Sequence, residues 1–136
     1  MTMSDGSVYV FGLDGVPPEL VDRGIDAGRL PNFERMRGEG TDGTTRSTVP
    51  PLSMIAWSSF ATGRNPGNHG VYNFMLKEEG GYGTNFVNAE TLREQSVPVW
   101  QYLDAEEKRS GVMNVMPGYP PSRTSGFHIS DNITTP

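Results

Sequence analysis

The first ordered signal along the chain is the run Val8-Tyr9-Val10-Phe11-Gly12-Leu13, which stops abruptly at Asp14-Gly15. An apolar run of that length, rich in β-branched and aromatic residues and closed by turn formers, predicts a buried strand. Pro17 and Pro18 then suit a helix start, Glu19 suits the positive end of its dipole, and Leu20, Val21 and Ile25 fall near one helical face. Gly28 supplies a C-terminal stop. Leu30, Phe33 and Met36, three apart, predict a second short helix over residues 31–37, ended by Gly38 and Gly40. Residues 41–49 favour extended backbone, and Pro50-Pro51 close that segment. Ser53 to Thr62 reads as a helix with its stop at Gly63, followed by a loop of turn formers over residues 63–70.

Further along, residues 77–85 are polar and glycine-rich, the signature of an exposed hairpin or loop. A further clear helix starts after Pro98, with Val99, Tyr102 and Leu103 on its apolar face and Asp104, Glu106, Glu107 and Lys108 toward water. Residues 111–116 predict a short buried strand ended by Pro117. Residues 126–136 read as a strand entering a new loop, and with no closing helix the chain reads as interrupted rather than finished. The order of strands and helices predicts the α/β class, a mostly parallel or mixed sheet flanked by helices, within a single domain spanning 1–136.

Composition narrows the function classes. The 136 residues include no cysteine, which excludes disulfides and thiolate metal sites. Eleven Lys and Arg against sixteen Asp and Glu give a net charge of −5, which argues against a nucleic-acid partner needing a basic face. No stretch approaches the roughly 20 apolar residues of a membrane span, and nothing at the N-terminus resembles a leader. A cytoplasmic protein with no membrane partner is the expectation.

Two residues invite chemistry by position. Asp14 closes the opening run, and in open α/β sheets ligands sit beyond the carboxyl ends of strands. It suits a divalent cation, or alternatively a turn whose backbone N–H groups it accepts. Ser53 heads a helix, where a hydroxyl serves either as an N-cap or as a nucleophile helped by the helix N–H groups. Other candidates read more plainly. His69 is a turn histidine bonded to nearby backbone, or else a ligand or proton shuttle, and His128 is a partly buried sheet residue. Arg64 and Asn65 either hold a phosphate oxygen or form an ordinary surface turn. Trp57 and Phe60, three apart on a helix, suit core packing better than substrate stacking. Gly12 and Gly15 lack the third glycine of a dinucleotide fingerprint.

Taken in order, Leu13-Asp14-Gly15, Ala27-Gly28-Arg29-Leu30-Pro31-Asn32-Phe33, Glu39-Gly40, Pro50-Pro51-Leu52-Ser53 and the run from Trp57 to Gly70 resemble the opening of type I phosphodiesterase/nucleotide pyrophosphatase-like proteins, of the alkaline phosphatase superfamily. The resemblance is dense over residues 8–75 and looser through 97–103, 111–121 and 126–136. It implies an alkaline phosphatase-like α/β sandwich, here incomplete, around two divalent ions, zinc or manganese. In it, Asp14 matches the first metal-binding aspartate, and Ser53 matches the catalytic nucleophile that also touches a metal. Ser53 would displace the leaving alcohol of a small phosphate ester and form a phosphoseryl intermediate.

Two departures from the family pattern stand out. Nucleotide pyrophosphatases carry Asn three residues after the nucleophile, where this chain has Ala56. Their remaining Asp and His ligands come from much later in longer chains, so at most one partial metal site is implied here, and a chain inactive alone. His69 matches a turn position of the family and no ligand. The competing expectations are a non-catalytic interaction module that self-associates through an open sheet edge, and a sulfatase- or phosphomutase-type member of the same superfamily. Against a sulfatase, Met54-Ile55-Ala56 follow Ser53 where that class matures a Cys/Ser-x-Pro-x-Arg pattern.

Overall fold

Prolines set where the helices of this chain begin. Pro18, Pro31 and Pro66 each occupy the first turn of a helix, where a missing N–H costs nothing, and Pro98 is the N-cap of another. The computed structural model describes residues 6–78 and 80–131. Glu79 of the polar excursion and the expected continuation over 132–136 lie outside the described residues. The chain divides into two compact units, Met1–Thr45 and Arg46–Pro136.

In the first unit, α1 (Pro18–Asp26) and α2 (Pro31–Glu39) follow the predicted pattern. Gly28 adopts φ +67°, the left-handed conformation that turns the chain after α1. α2 runs two residues past the predicted 37, through Gly38, and closes where the Gly40 N–H donates to the Met36 carbonyl at 2.9 Å. Arg37 of α2 pairs with Asp22 of α1 at 2.8 Å and with Asp42 at 2.6 Å. These are solvent-facing pairs, weak in water, and they fix geometry more than they stabilise.

The opening run departs from expectation. Residues 8–13 belong to no strand, and Val8, Tyr9, Val10 and Phe11 are 88, 79, 66 and 87% exposed. A strand exists only where a neighbour takes up its backbone N–H and C=O groups. Among the described residues this unit offers two helices and no strand, so the apolar run stays uncovered.

The second unit is built on α3 (Ser53–Thr62), which starts and stops where the sequence predicts. Gly63 ends it at φ +64°, with its N–H on the Ser59 carbonyl at 2.8 Å. Met54, Ile55, Ser58 and Ala61 are its buried residues, an i, i+1, i+4, i+7 stripe. Two apolar clusters form on that helix. Met54 packs with Val71, Val87 and Leu92, flanked by Phe74, Leu76 and Met116. Ala61 packs with Trp100 and Val112, flanked by Val115. Ser58 and Thr62 donate their hydroxyls to the carbonyls of Met54 and Ser58, both at 2.7 Å, which satisfies them inside the helix.

Around α3 lie α4 (Pro66–His69), the antiparallel pair β1 (Met75–Lys77) and β2 (Thr84–Phe86), α5 (Ala89–Gln95), α6 (Val99–Ala105), and the parallel pair β3 (Gly111–Met113) and β4 (Phe127–Ile129). The hairpin expected over 77–85 is therefore present, with Met75 opposite Phe86 and Lys77 opposite Thr84. α5 starts at a cap: the Asn88 side chain accepts from the Thr91 N–H at 3.0 Å.

Two predicted details change here. α6 turns Trp100 inward at 4% exposure, whereas Val99, Tyr102 and Leu103 face water at 48, 51 and 38%. β3 stops at Met113 rather than at 116: the Asn114 N–H still donates to the Ile129 carbonyl at 3.0 Å, but its φ of 54° lies outside the strand region and ends the extended run. The class is α/β with mixed helices and small sheets, one parallel pair and one antiparallel pair among the described residues. No described helix is long and apolar enough to cross a membrane.

Candidate functional site

Asp14 lies in the first unit, exposed, in the turn that Gly15 makes possible at φ +68°. Ser53 lies in the second unit, partly buried. Ser53 is the first helical residue of α3, and the N-cap is Leu52. The backbone reaches that start through a tight turn in which the Leu52 N–H donates to the Pro50 carbonyl at 3.0 Å. Leu52 thus holds the cap position and makes no side-chain cap hydrogen bond. A hydroxyl at this position stands beside first-turn N–H groups that have no intrahelical acceptor, a setting that favours anions.

A second hydroxyl is more tightly built in. His69 is fully buried, and its Nδ1 accepts the Val71 N–H at 3.1 Å while its Nε2 meets Ser59 Oγ at 2.9 Å. With Nδ1 accepting, the proton of the neutral ring sits on Nε2, which donates to Ser59. Burial pushes the His69 pKa down, which favours that neutral form, and a lesser backbone hydrogen bond opposes it. His69 is thus bonded to nearby backbone. In this tautomer it orients Ser59 and takes no proton from it.

The second histidine is arranged similarly. His128 Nδ1 accepts the Ser122 N–H at 3.1 Å, and its ring stands edge-on to Trp100 with centroids 5.5 Å apart. Burial lowers its pKa, Arg93 lowers it further, and Asp131 partly offsets both. Arg93 itself donates to the Pro120 carbonyl at 3.2 Å and to Ser122 Oγ at 3.1 Å, so it braces the loop that precedes β4. Trp57 and Phe60 stack edge-to-face at 5.6 Å, but Phe60 is 49% exposed, so the pair lies on the outer side of α3 and not in the core.

A cavity of about 510 Å³ opens beside the C-terminal end of α3, lined by Arg46, Ser47, Thr48, Ser59, Arg64 and Asn65 among others. The structure thereby brings Arg64 and Asn65, singled out from the sequence, together with Ser59 and Arg46, which were not. The signal for this arrangement is present in the chain: Gly63 as a stop, then Asn65-Pro66 as a start, so a second helix folds back against α3 and delivers His69 to Ser59.

The model of the type I phosphodiesterase / nucleotide pyrophosphatase family matches residues 8–135. The chain belongs to that family. No curated protein and no solved structure gave a match. As a phosphodiesterase-family domain, the chain is of the phosphoric ester hydrolase kind.

The family is generally metal-dependent, which makes the donor set a question of chemistry. Two divalent ions at about four ligands each require several His, Asp or Glu side chains on one spot. Among the described residues no three such groups gather. His69 is engaged at both ring nitrogens and His128 at Nδ1, while Asp131 accepts the Gly118 N–H. The described residues do not fit a two-metal centre.

Proposed function

We propose that this chain carries the nucleophile of a metal-dependent phosphoric ester hydrolase and, alone, turns over little or no substrate. Ser53 Oγ attacks the phosphorus of a small phosphate ester in line. The new Oγ–P bond forms as the bond to the leaving alcohol breaks, and the hydroxyl proton passes to the departing oxygen or to water. Asp14 is the first metal-binding aspartate in this reading, and the chain supplies at most a partial set of ligands for zinc or manganese. The parent architecture is the alkaline phosphatase-like sandwich. The observation that carries the reading is the family match over residues 8–135, with Ser53 as the first residue of α3.

Peptide mapping tests it. The chain is incubated with an activated aryl phosphodiester and millimolar zinc or manganese, quenched and cleaved after arginine, and the segment 47–64 is sequenced by mass spectrometry. A substoichiometric phosphoester adduct on Ser53, with steady release of the aryl alcohol near the buffer rate, is expected. An adduct on Ser59 in place of Ser53, or no adduct on the segment, overturns the assignment of the nucleophile. Robust Ser53-dependent turnover overturns the partial-site claim.

A second reading is favoured by the parallel pair. Among the described residues β3 and β4 form a sheet of two strands, each with one edge unpaired, and Met113, Phe127 and Ile129 are 58, 53 and 50% exposed. Such apolar edges recruit strands. We propose that this edge pairs with a second copy of the chain. Light scattering after size exclusion is expected to give about twice the 14.9 kDa chain mass. A constant monomer mass across concentrations defeats the idea.

A further inference from the structure

We propose that the cavity beside the C-terminal end of α3 is a binding site for a phosphate-type oxyanion, held by Arg46 and Arg64. Its volume of about 510 Å³ admits such a group with room for the molecule bearing it. Arg46 and Arg64 both line it, and neither has an ion-pair partner among the described residues, where the two recorded pairs both use Arg37. In a chain with sixteen acidic and eleven basic residues, two arginines in the lining of one cavity that has no carboxylate in that lining form a charge arrangement that an anion completes.

The rest of the lining points the same way. It contains no Asp or Glu, and Ser47, Ser59 and Asn65 add neutral donors. The His69 Nε2–H donates to Ser59 Oγ, which fixes that hydroxyl as an acceptor toward the histidine and leaves its own hydrogen to be donated. Thr48 is different, since its hydroxyl already donates to the Pro50 carbonyl at 3.0 Å. Guanidinium groups bind tetrahedral oxyanions through paired N–H donors, so an anion with several oxygens gains more here than a halide does.

The site is distinct from the Ser53 hydroxyl. Ser59 lies six residues further along α3, about 9 Å at the rise of a helix. Binding here does not depend on Ser53 being a nucleophile, so the two readings fail independently.

The test uses the full chain, titrated with inorganic phosphate and with pyrophosphate at constant ionic strength and followed by amide resonances. Saturable shifts are expected at residues 46–49, 59 and 63–65. Arg46→Gln and Arg64→Gln should each weaken binding at least about tenfold, the loss expected for one charge-assisted contact. Arg109→Gln, on an exposed arginine outside the cavity lining, should bind like the parent. Non-saturating shifts, parent-like affinity in both cavity variants, or an equal loss in Arg109→Gln would each overturn the proposal.

Discussion

Replacing Leu92 by alanine should destabilise the second unit by about 2–5 kcal/mol, the range for truncating a buried leucine. Leu92 is 1% exposed and meets Met54, Val71 and Val87, each itself fully or almost fully buried. Those four side chains come from α5, from α3, from the segment after α4 and from the residue after β2, so one truncation loosens four separate pieces of chain. The neighbours are anchored at both ends. Val87 donates its N–H to the Phe74 carbonyl at 2.8 Å, and the Val71 N–H is held by His69, so collapse into the void is restricted. Against a typical net stability of about 5–15 kcal/mol, the loss is a large share. Urea unfolding should show a midpoint lower by roughly 1–2 M at an unchanged slope. Leu103→Ala, at 38% exposure on the outer side of α6, should move the midpoint far less. Equal shifts for the two variants would contradict the assignment of the core.

The helices were legible in the sequence because their signals are local. Pro18 and Pro31 at helix starts, Gly63 after the last turn of α3, and Pro98 before α6 are decided within a few residues. α5 escaped notice although Asn88 capping Thr91 is also a local device, because its seven residues bury only Ala89 and Leu92 and show little period. Strands fared worse for a physical reason. Apolar character made residues 8–13 and residues 111–116 look alike, yet only Gly111–Met113 finds a partner, Phe127–Ile129, and that pairing is non-local. Similarly, the spacing in α6 identified the helix but assigned its apolar face to Val99, Tyr102 and Leu103, which face water. The choice of inward face depends on what α3 and β3 present to the helix, and it fell on Trp100.

The candidate site divides along the same line. Ser53 stood out because it opens a local element, and Asp14 because it ends an apolar run. The Ser59–His69 pair did not, since it needs α4 to fold back on α3, and Arg46 did not, since it joins Arg64 only across the cavity. Residue types in a motif tell which chemistry is available; tautomer and burial tell which direction the proton runs. His69 shows the difference. Beside Ser59 it has the composition of a catalytic pair, whereas its Nδ1 bond to Val71 makes it a donor toward that serine.

The same buried ring makes the fold sensitive to acid. The pKa values of His69 and His128 both lie below the ordinary 6.5, chiefly because burial disfavours the charged imidazolium. In the unfolded chain each binds a proton near pH 6.5, while in the fold it does so only at lower pH. Between those two values the unfolded state holds more protons, so stability falls as pH falls. The contribution is complete above about pH 6.5 and is progressively lost below it, down through the folded pKa values. Protonating His69 also converts the Nδ1 acceptor into a donor facing the Val71 N–H, so the bond at 3.1 Å is replaced by two opposed donors. Urea midpoints measured at pH 7.5 and at pH 5.5 should therefore differ, with the lower value in acid. His69→Gln should narrow that difference, because its side-chain carbonyl accepts a hydrogen bond at both pH values. The comparison is made within each protein, so any general weakening by the substitution cancels. A midpoint that stays level or rises toward pH 5.5 in the parent would show that neither imidazole is held neutral by the fold.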